Sequence, residues 1–340
     1  MKIGLGPITC QIMPGDHRTS AQVLREVLDL VRLAEENRFS SAWVAEHHLA
    51  LDNYTPSPLV LLGALAAVTT RLNLGTSVAL PTFYHPLRLA EDGATLDVLS
   101  QGRFQMGLGL GRVDKELKAY GVGRSERVAR LEEAMQVLKL AWSGETFSCR
   151  GPFHAFESVR LSPRPVQVPR PPILIGAVAP PAVERAGRLA DGFIAPYRTL
   201  AELQESIGLA RRTAQGRQDL AGPFRIAIMK HCCVSEQGDA WEHLEQSLAY
   251  RVLEHPGEAE LFQRKPPSAQ QKKEMIAETR AGALLGTPEE VLAQLREHER
   301  ELGTDIEFMV RLIYPGMTFA QSARQIEIFG SKIIPKIERT

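Results

Sequence analysis

A closed (β/α)8 barrel is the fold this sequence predicts, and three observations carry it. The chain has 340 residues, long for a small domain and ordinary for a single α/β barrel. Strand-like and helix-like segments alternate along almost all of it. The strand-like segments are short, rich in Val, Ile and Leu, and apolar on both faces, as in a parallel sheet covered by helices. Successive β/α units in this number favour closure over an open doubly wound sheet. Residues 1–340 therefore read as one barrel domain with insertions.

The units follow in order. Lys2–Leu5 is a strand, and Ser20–Asn37 an amphipathic helix whose Val23, Leu24, Val27, Leu28 and Val31 recur at helical spacing. Ser41–Ala45 is the second strand and Ser57–Thr70 its helix, with the apolar, Ala-rich run Leu59–Val68 read as buried. Asn73–Leu80 pairs with Leu87–Leu99, and Arg103–Leu108 with Val128–Trp142. Pro172–Ile175 precedes Ala182–Ala190, and Gly192–Ala195 precedes Leu200–Thr213. Arg225–Val234 is a long strand before helix-forming sequence from Asp239. Glu307–Ile313 and Phe319–Lys336 complete the set.

Two stretches interrupt the alternation. Ser143–Arg170 holds two Phe-bearing runs around Gly151-Pro152 and predicts a hairpin. His255–Arg280, charged and broken by Pro266-Pro267, falls between the seventh and eighth strands. An insertion of that length in a compact domain is a lid or an unstructured segment. We expect a mobile lid that keeps water from the site. After it, Thr287-Pro288-Glu289-Glu290 restarts a helix with an N-cap, Pro at the first position and a capping-box Glu.

Composition narrows the function classes. Lys plus Arg equals Asp plus Glu, 40 each, so no net field draws the protein to nucleic acid or anionic lipid. Cys10, Cys149, Cys232 and Cys233 match no zinc or redox spacing, and reduced thiols are expected. Met1-Lys2-Ile3-Gly4 does not open a signal-type segment, and no run reaches the roughly 18 uncharged apolar residues of a membrane span. The expectation is a soluble, cytoplasmic protein.

Glu46-His47-His48-Leu49 is the most informative stretch, because it leaves the carboxyl end of the second strand, where barrels place their chemistry. In isolation, a His-His pair is more often a satisfied structural feature than a site. A shared metal is disfavoured, since adjacent residues at a strand end point apart. Thr76-Ser77 puts two small hydroxyl residues inside a strand, where a flat ligand could approach the backbone. Gly107-Leu108-Gly109-Leu110-Gly111-Arg112 fails the dinucleotide-binding pattern, having GxGxG and no prompt helix. It still offers a strand end with exposed amides beside a permanent cation. Gly176-Ala177-Val178, before Pro180-Pro181, reads either as a phosphate seat at a helix N-terminus or as a plain tight β/α turn.

Taken in order, these pieces resemble the bacterial luciferase-like flavin monooxygenase family. The resemblance rests on Ala45–Leu49, Leu80-Pro81 with His85–Asp92, and Leu96–Phe104. It rests further on Gly107-Leu108-Gly109, Glu116 with Tyr120-Gly121, Pro172–Gly176 and Gly286–Val291. It implies a barrel that binds reduced FMN supplied by a separate flavin reductase. With O2, a C4a-(hydro)peroxyflavin would then oxygenate a small organic substrate. By the same resemblance His47, beside Glu46, is the acid/base or peroxide-stabilising group. Thr76-Ser77 matches the strand that bears a non-prolyl cis peptide against the flavin, and we expect the cis bond between these two. Gly109, Arg112, Gly176, Ala177 and Val178 would hold the cofactor, its phosphate between Arg112 and the amides of residues 176–178. A homodimer through the early helices, Leu59–Val68 foremost, is also implied.

The chain departs from the family pattern at Leu110, where luciferase-type members carry Arg, and at Ala177-Val178-Ala179, where many carry Ser or Thr. Two alternatives stay open on the same barrel, a deazaflavin-dependent oxidoreductase and a flavin-binding relative without catalysis. The substrate is not legible; Met13, Trp43, Phe83, Tyr84 and Tyr197 are the aromatic or soft side chains offered for its pocket.

Overall fold

The computed structural model describes residues 1–237, 239–250 and 268–338. Its strands are β1 (Lys2–Ile8), β2 (Ser41–Val44), β3 (Asn73–Thr76), β4 (Phe104–Leu108), β5 (Phe147–Arg150), β6 (Ala155–Val159), β7 (Ile173–Gly176), β8 (Gly192–Ala195), β9 (Arg225–Val234), β10 (Leu284–Gly286) and β11 (Ile306–Arg311). Eight of them, β1-β2-β3-β4-β7-β8-β9-β11, hydrogen-bond in parallel in that order, and β11 closes onto β1. The expected barrel is therefore present. The outer helices are α1 (Ser20–Glu36), α2 (Pro58–Val68), α3 (Pro86–Leu99), α4 (Asp114–Ala119), α5 (Arg127–Trp142), α6 (Pro180–Leu189), α7 (Leu200–Ala214), α8 (Ala240–Ala249), α9 (Ala269–Ala281), α10 (Pro288–Leu302) and α11 (Phe319–Ile328).

The core has two layers. Inside the barrel, Trp43, Leu174, Ile194, Ala227 and Met309 fill the space. Trp43 is fully buried there, and a Cβ on Gly75 would collide with its ring. Its place is the barrel interior, which corrects the expectation that it lines a substrate pocket. A larger apolar cluster lies between strands and helices. Several helices are started by side-chain caps. Thr19 with Gln22, Thr199 with Glu202 and Thr318 with Gln321 form capping boxes. Thr287 with Glu290 forms the one read from the sequence, with Pro288 at the first position. Each cap contributes about 1 kcal/mol.

Three differences from the sequence reading matter. First, β3 ends at Thr76, not Leu80. Thr76 stays in the ladder: the next amide, Ser77 N–H, still donates to Val44 O at 2.7 Å, and the Thr76 hydroxyl donates to Gly107 O at 2.6 Å. The cis peptide therefore comes one residue later than expected, at Ser77–Val78. Second, α2 is buried only on its inner face, through Leu61, Leu62, Leu65 and Ala66, while Val60 is 75% exposed. Third, β9 outruns the barrel. Cys232, Cys233 and Val234 pair with an added strand, β10, which the sequence reading did not foresee.

The hairpin expected in Ser143–Arg170 is the antiparallel pair β5–β6. Of the expected lid, residues 255–267 lie outside the described residues. Its remainder is α9, capped by Ser268 and with no buried side chain. Among the described residues no helix is long and apolar enough to cross a membrane.

Candidate active site

The carboxyl ends of the barrel strands surround a cleft of about 510 Å³. Of the residues expected from the sequence, Glu46, His47, Ser77, Gly109, Arg112, Gly176, Ala177 and Val178 all line it. Thr76 does not. It is fully buried, with its hydroxyl turned to Gly107 O.

Part of the lining comes from the loop after β2. Glu46 is 3% exposed. Its Oε1 meets His48 Nε2 at 2.7 Å, and its Oε2 accepts the Leu80 N–H at 3.0 Å. The other ring nitrogen of His48 meets Tyr120 OH at 3.0 Å, and Tyr120 stacks on Phe83 at 4.6 Å between centroids. Burial, then the charge of Glu46, hold the Tyr84 phenol well above its ordinary value. Glu46 thus has both oxygens engaged in fixing the loop.

His47 is placed differently. Its N–H donates to Thr55 O at 3.0 Å, its ring meets Tyr54 edge-on at 4.5 Å, and its Nδ1 lies 3.2 Å from Glu116 Oε1. Glu116, on α4, is fully buried. Its Oε1 also accepts the His48 N–H at 2.7 Å, while its Oε2 has no hydrogen-bond partner among the described residues. The two adjacent imidazoles therefore serve different carboxylates.

The cleft also carries positive charge. Arg112 lines it, as does Arg127, which at the start of α5 donates through Nη1 to Gly111 O at 2.6 Å. The second bond of Arg127 is to Arg124 O at 2.9 Å. Burial, then the neighbouring Arg124 charge, lower its pKa. The glycines act otherwise than the sequence suggests. Gly109 N–H is taken by Ala79 O at 2.9 Å, so it is no exposed donor. Gly176 is needed because a Cβ there would approach Val78 Cγ1 to 2.8 Å. The amide seat expected before α6 is also reduced: Ala177 N–H leans on Ile194 O at 3.4 Å, and Pro180 and Pro181 have no N–H to offer. Val178 and Ala179 remain as backbone donors in the lining of the cleft.

The sequence matches the luciferase-like monooxygenase family over residues 7–305. The chain belongs to that family. Among luciferase-like relatives, the oxygenase component of the flavin-dependent trigonelline monooxygenase of Acinetobacter baylyi is 24% identical over 345 residues, covering 94% of this chain and 91% of that protein. An F420-dependent glucose-6-phosphate dehydrogenase of Microbacterium testaceum is 34% identical over 221 residues, 61% of this chain and 64% of that one. The crystal structure of the monooxygenase RslO1 from Streptomyces bottropensis superposes with a TM-score of 0.86 at 28% identity, covering 99% of both chains. The family thus includes flavin-dependent and F420-dependent members, and the fold expected from the resemblance holds.

Sequence reasoning passed over Arg127, Arg311 and Met229, which also line the cleft. Glu116 was legible only as one matched residue, because its pairing with His47 spans 69 positions. Of the side chains offered for the substrate, Tyr197 lines the cleft and stacks on His231 at 3.9 Å. Met13 belongs to a separate surface groove beside Gly316.

Proposed function

We propose that this chain is the oxygenase of a two-component flavin monooxygenase, taking reduced FMN from a separate reductase and using O2 to oxygenate a small organic substrate. The observation that carries this reading is the mixed lining of one cleft. Arg112 and Arg127, the His47–Glu116 pair, and the apolar Val78, Leu80, Ile194 and Met229 all face it. A flat apolar ring system with an anionic tail fits that distribution. The buried Ser77 hydroxyl, which has no partner among the described residues, supplies a further polar contact for such a group.

When bound, reduced FMN supplies the two electrons that activate O2. The chain does the rest. Arg112, Arg127 and the Val178 and Ala179 amides would hold the phosphate through charge-assisted bonds. His47 Nε2 would hold or deliver a proton at the reacting end, with Glu116 fixing the ring through Nδ1. Glu46 is a positioning residue: with His48 and Tyr120 it secures the loop that carries His47. The apolar walls exclude water. Two copies would associate through the outer face of α2, and α9 would cover the cleft.

Some of the relatives favour a second reading, hydride transfer with a deazaflavin, on the strength of the 34% identity to an F420-dependent enzyme. One experiment separates the two. Purified protein is mixed with reduced FMN or with reduced F420 in the presence of a substrate panel, with and without O2. Oxygen-dependent product formation with reduced FMN is expected. Turnover without O2, with F420 alone, would replace the proposal by the second reading.

A further inference from the structure

Resting on the reading of this cleft as the catalytic one, we infer that Arg311 binds the substrate and that the substrate carries a carboxylate. Arg311 is the last residue of β11, is 1% exposed, and lines the cleft. Every hydrogen bond it makes among the described residues is to a neutral group. Nη2 donates to Thr9 Oγ1 at 3.1 Å and to Gln11 Oε1 at 3.5 Å. Nε donates to Ile313 O at 3.4 Å. Its guanidinium lies 5.0 Å from the centre of the Tyr314 ring. Nη1 makes no hydrogen bond to any described residue.

The nearest carboxylate along this network is already committed. Asp52 Oδ2 accepts from Gln11 Nε2 at 2.7 Å and from Tyr250 OH at 3.2 Å. Gln11 therefore stands between the two charges, with its amide nitrogen toward the acid and its oxygen toward the arginine. A buried arginine cannot escape by shedding its proton, and a buried charge without a counterion is strongly destabilising. The fold tolerates such a group where a ligand supplies the missing charge. A guanidinium fork matches the two oxygens of a carboxylate.

The position within the cleft fits a substrate better than the cofactor tail. Arg112 and Arg127 come from the loop after β4 and from α5, whereas Arg311 ends β11, four strands from β4 in the barrel order and opposite His231 of β9; Met229 and Tyr197 line the cleft with it. The Tyr197 ring, braced by His231, offers a flat apolar surface beside the cation. A small, flat organic acid is the class these groups select.

Benzoate and its uncharged analogue benzamide are the probes. With FMN-loaded protein, benzoate should raise the thermal midpoint and perturb the flavin spectrum, and benzamide should do neither. R311M should weaken the benzoate response by about tenfold or more, the size of a lost charged hydrogen bond. It should leave the FMN dissociation constant unchanged and keep or raise the midpoint without benzoate, because the unpaired charge is gone. Equal responses to the two probes, or an unaltered benzoate response in R311M, overturn the inference. Weaker FMN binding in R311M also overturns it, by assigning Arg311 to the cofactor, and leaves the flavin reading standing. Benzoate selectivity in a protein that binds no FMN does the reverse. If R311M does not fold, R311K takes its place: a weakened benzoate response is expected, and an unchanged one rejects the fork.

Discussion

His47 Nδ1 lies 3.2 Å from Glu116 Oε1, and that same oxygen accepts the His48 N–H at 2.7 Å. One buried carboxylate therefore fixes both the ring and the backbone that carries it. A ring held through Nδ1 has a defined Nε2 direction, which is what proton transfer at a fixed position requires. Replacing His47 by Asn should lower the oxygen-dependent rate with reduced FMN by about 100-fold or more. Glu116→Gln keeps the shape but not the charge and should cost less, roughly tenfold, with FMN affinity unchanged in both. Stopped-flow reoxidation of reduced FMN and fluorescence titration read the two quantities. Equal rates in native protein and H47N would remove His47 from the chemistry.

The arginines of the cleft yield a prediction that separates tail from ring. Arg127 hydrogen-bonds only carbonyls, Gly111 O and Arg124 O, among the described residues. Its charge is then available to an anion. R127A should weaken FMN binding by roughly 10- to 100-fold, the worth of charged hydrogen bonds, and leave riboflavin binding nearly unchanged. A matched loss for FMN and riboflavin would place Arg127 in support of the loop at Gly111 instead.

The barrel was legible because each β/α unit carries its own period: short apolar strands, amphipathic helices, and caps such as Thr287 with Glu290. Those are local signals. The site was legible only where it is local too. Glu46 and His47 leave one strand, and Gly176–Val178 precede one helix. The partner of His47 is 69 residues away, and Arg127 reaches back 16 residues to Gly111. No periodicity carries such pairings. The glycines misled for a related reason. Gly109 and Gly176 read as open backbone, yet Gly176 is set by its packing on Val78 and the Gly109 amide is spent on Ala79.

Lys230 gives a pH prediction. It is 1% exposed and donates to Arg198 O at 2.7 Å and Gly282 O at 3.0 Å, tying β9 to the loop before α7 and to the end of α9. Burial pushes its pKa down from 10.5 to about 8. Below that value the lysine is charged in both folded and unfolded chains, and the burial penalty is full. Between about 8 and 10.5 the folded chain releases the proton while the unfolded chain keeps it, so this group makes stability rise with pH. Native protein should gain on K230M by up to something on the order of 3 kcal/mol from pH 7 to pH 10. Urea unfolding of both proteins across that range measures the difference. A constant difference would show that Lys230 titrates alike in both states.

The outer face of α2 supplies the last prediction. Val60 and Val68 are 75% and 36% exposed, and Ala64 and Ala67 lie exposed between them. Positions 60, 64, 67 and 68 share one side of a helix, so α2 has an apolar stripe outside as well as inside. The neighbouring helices extend it: Leu24 on α1 is 39% exposed and Leu99 at the end of α3 is 59% exposed. Small side chains at Ala64 and Ala67 allow close approach of a second helix, and two copies related by a two-fold axis would bury the same stripe against itself. Light scattering at micromolar concentration should therefore give twice the chain mass. V60E and A64E should each return it to the single-chain value, because a carboxylate buried in that contact has no partner, a penalty of about 3–5 kcal/mol. The thermal midpoint of the separated chain should fall only by what dimerisation contributed, since neither side chain enters the core. A native protein already monomeric at that concentration would reject the interface outright.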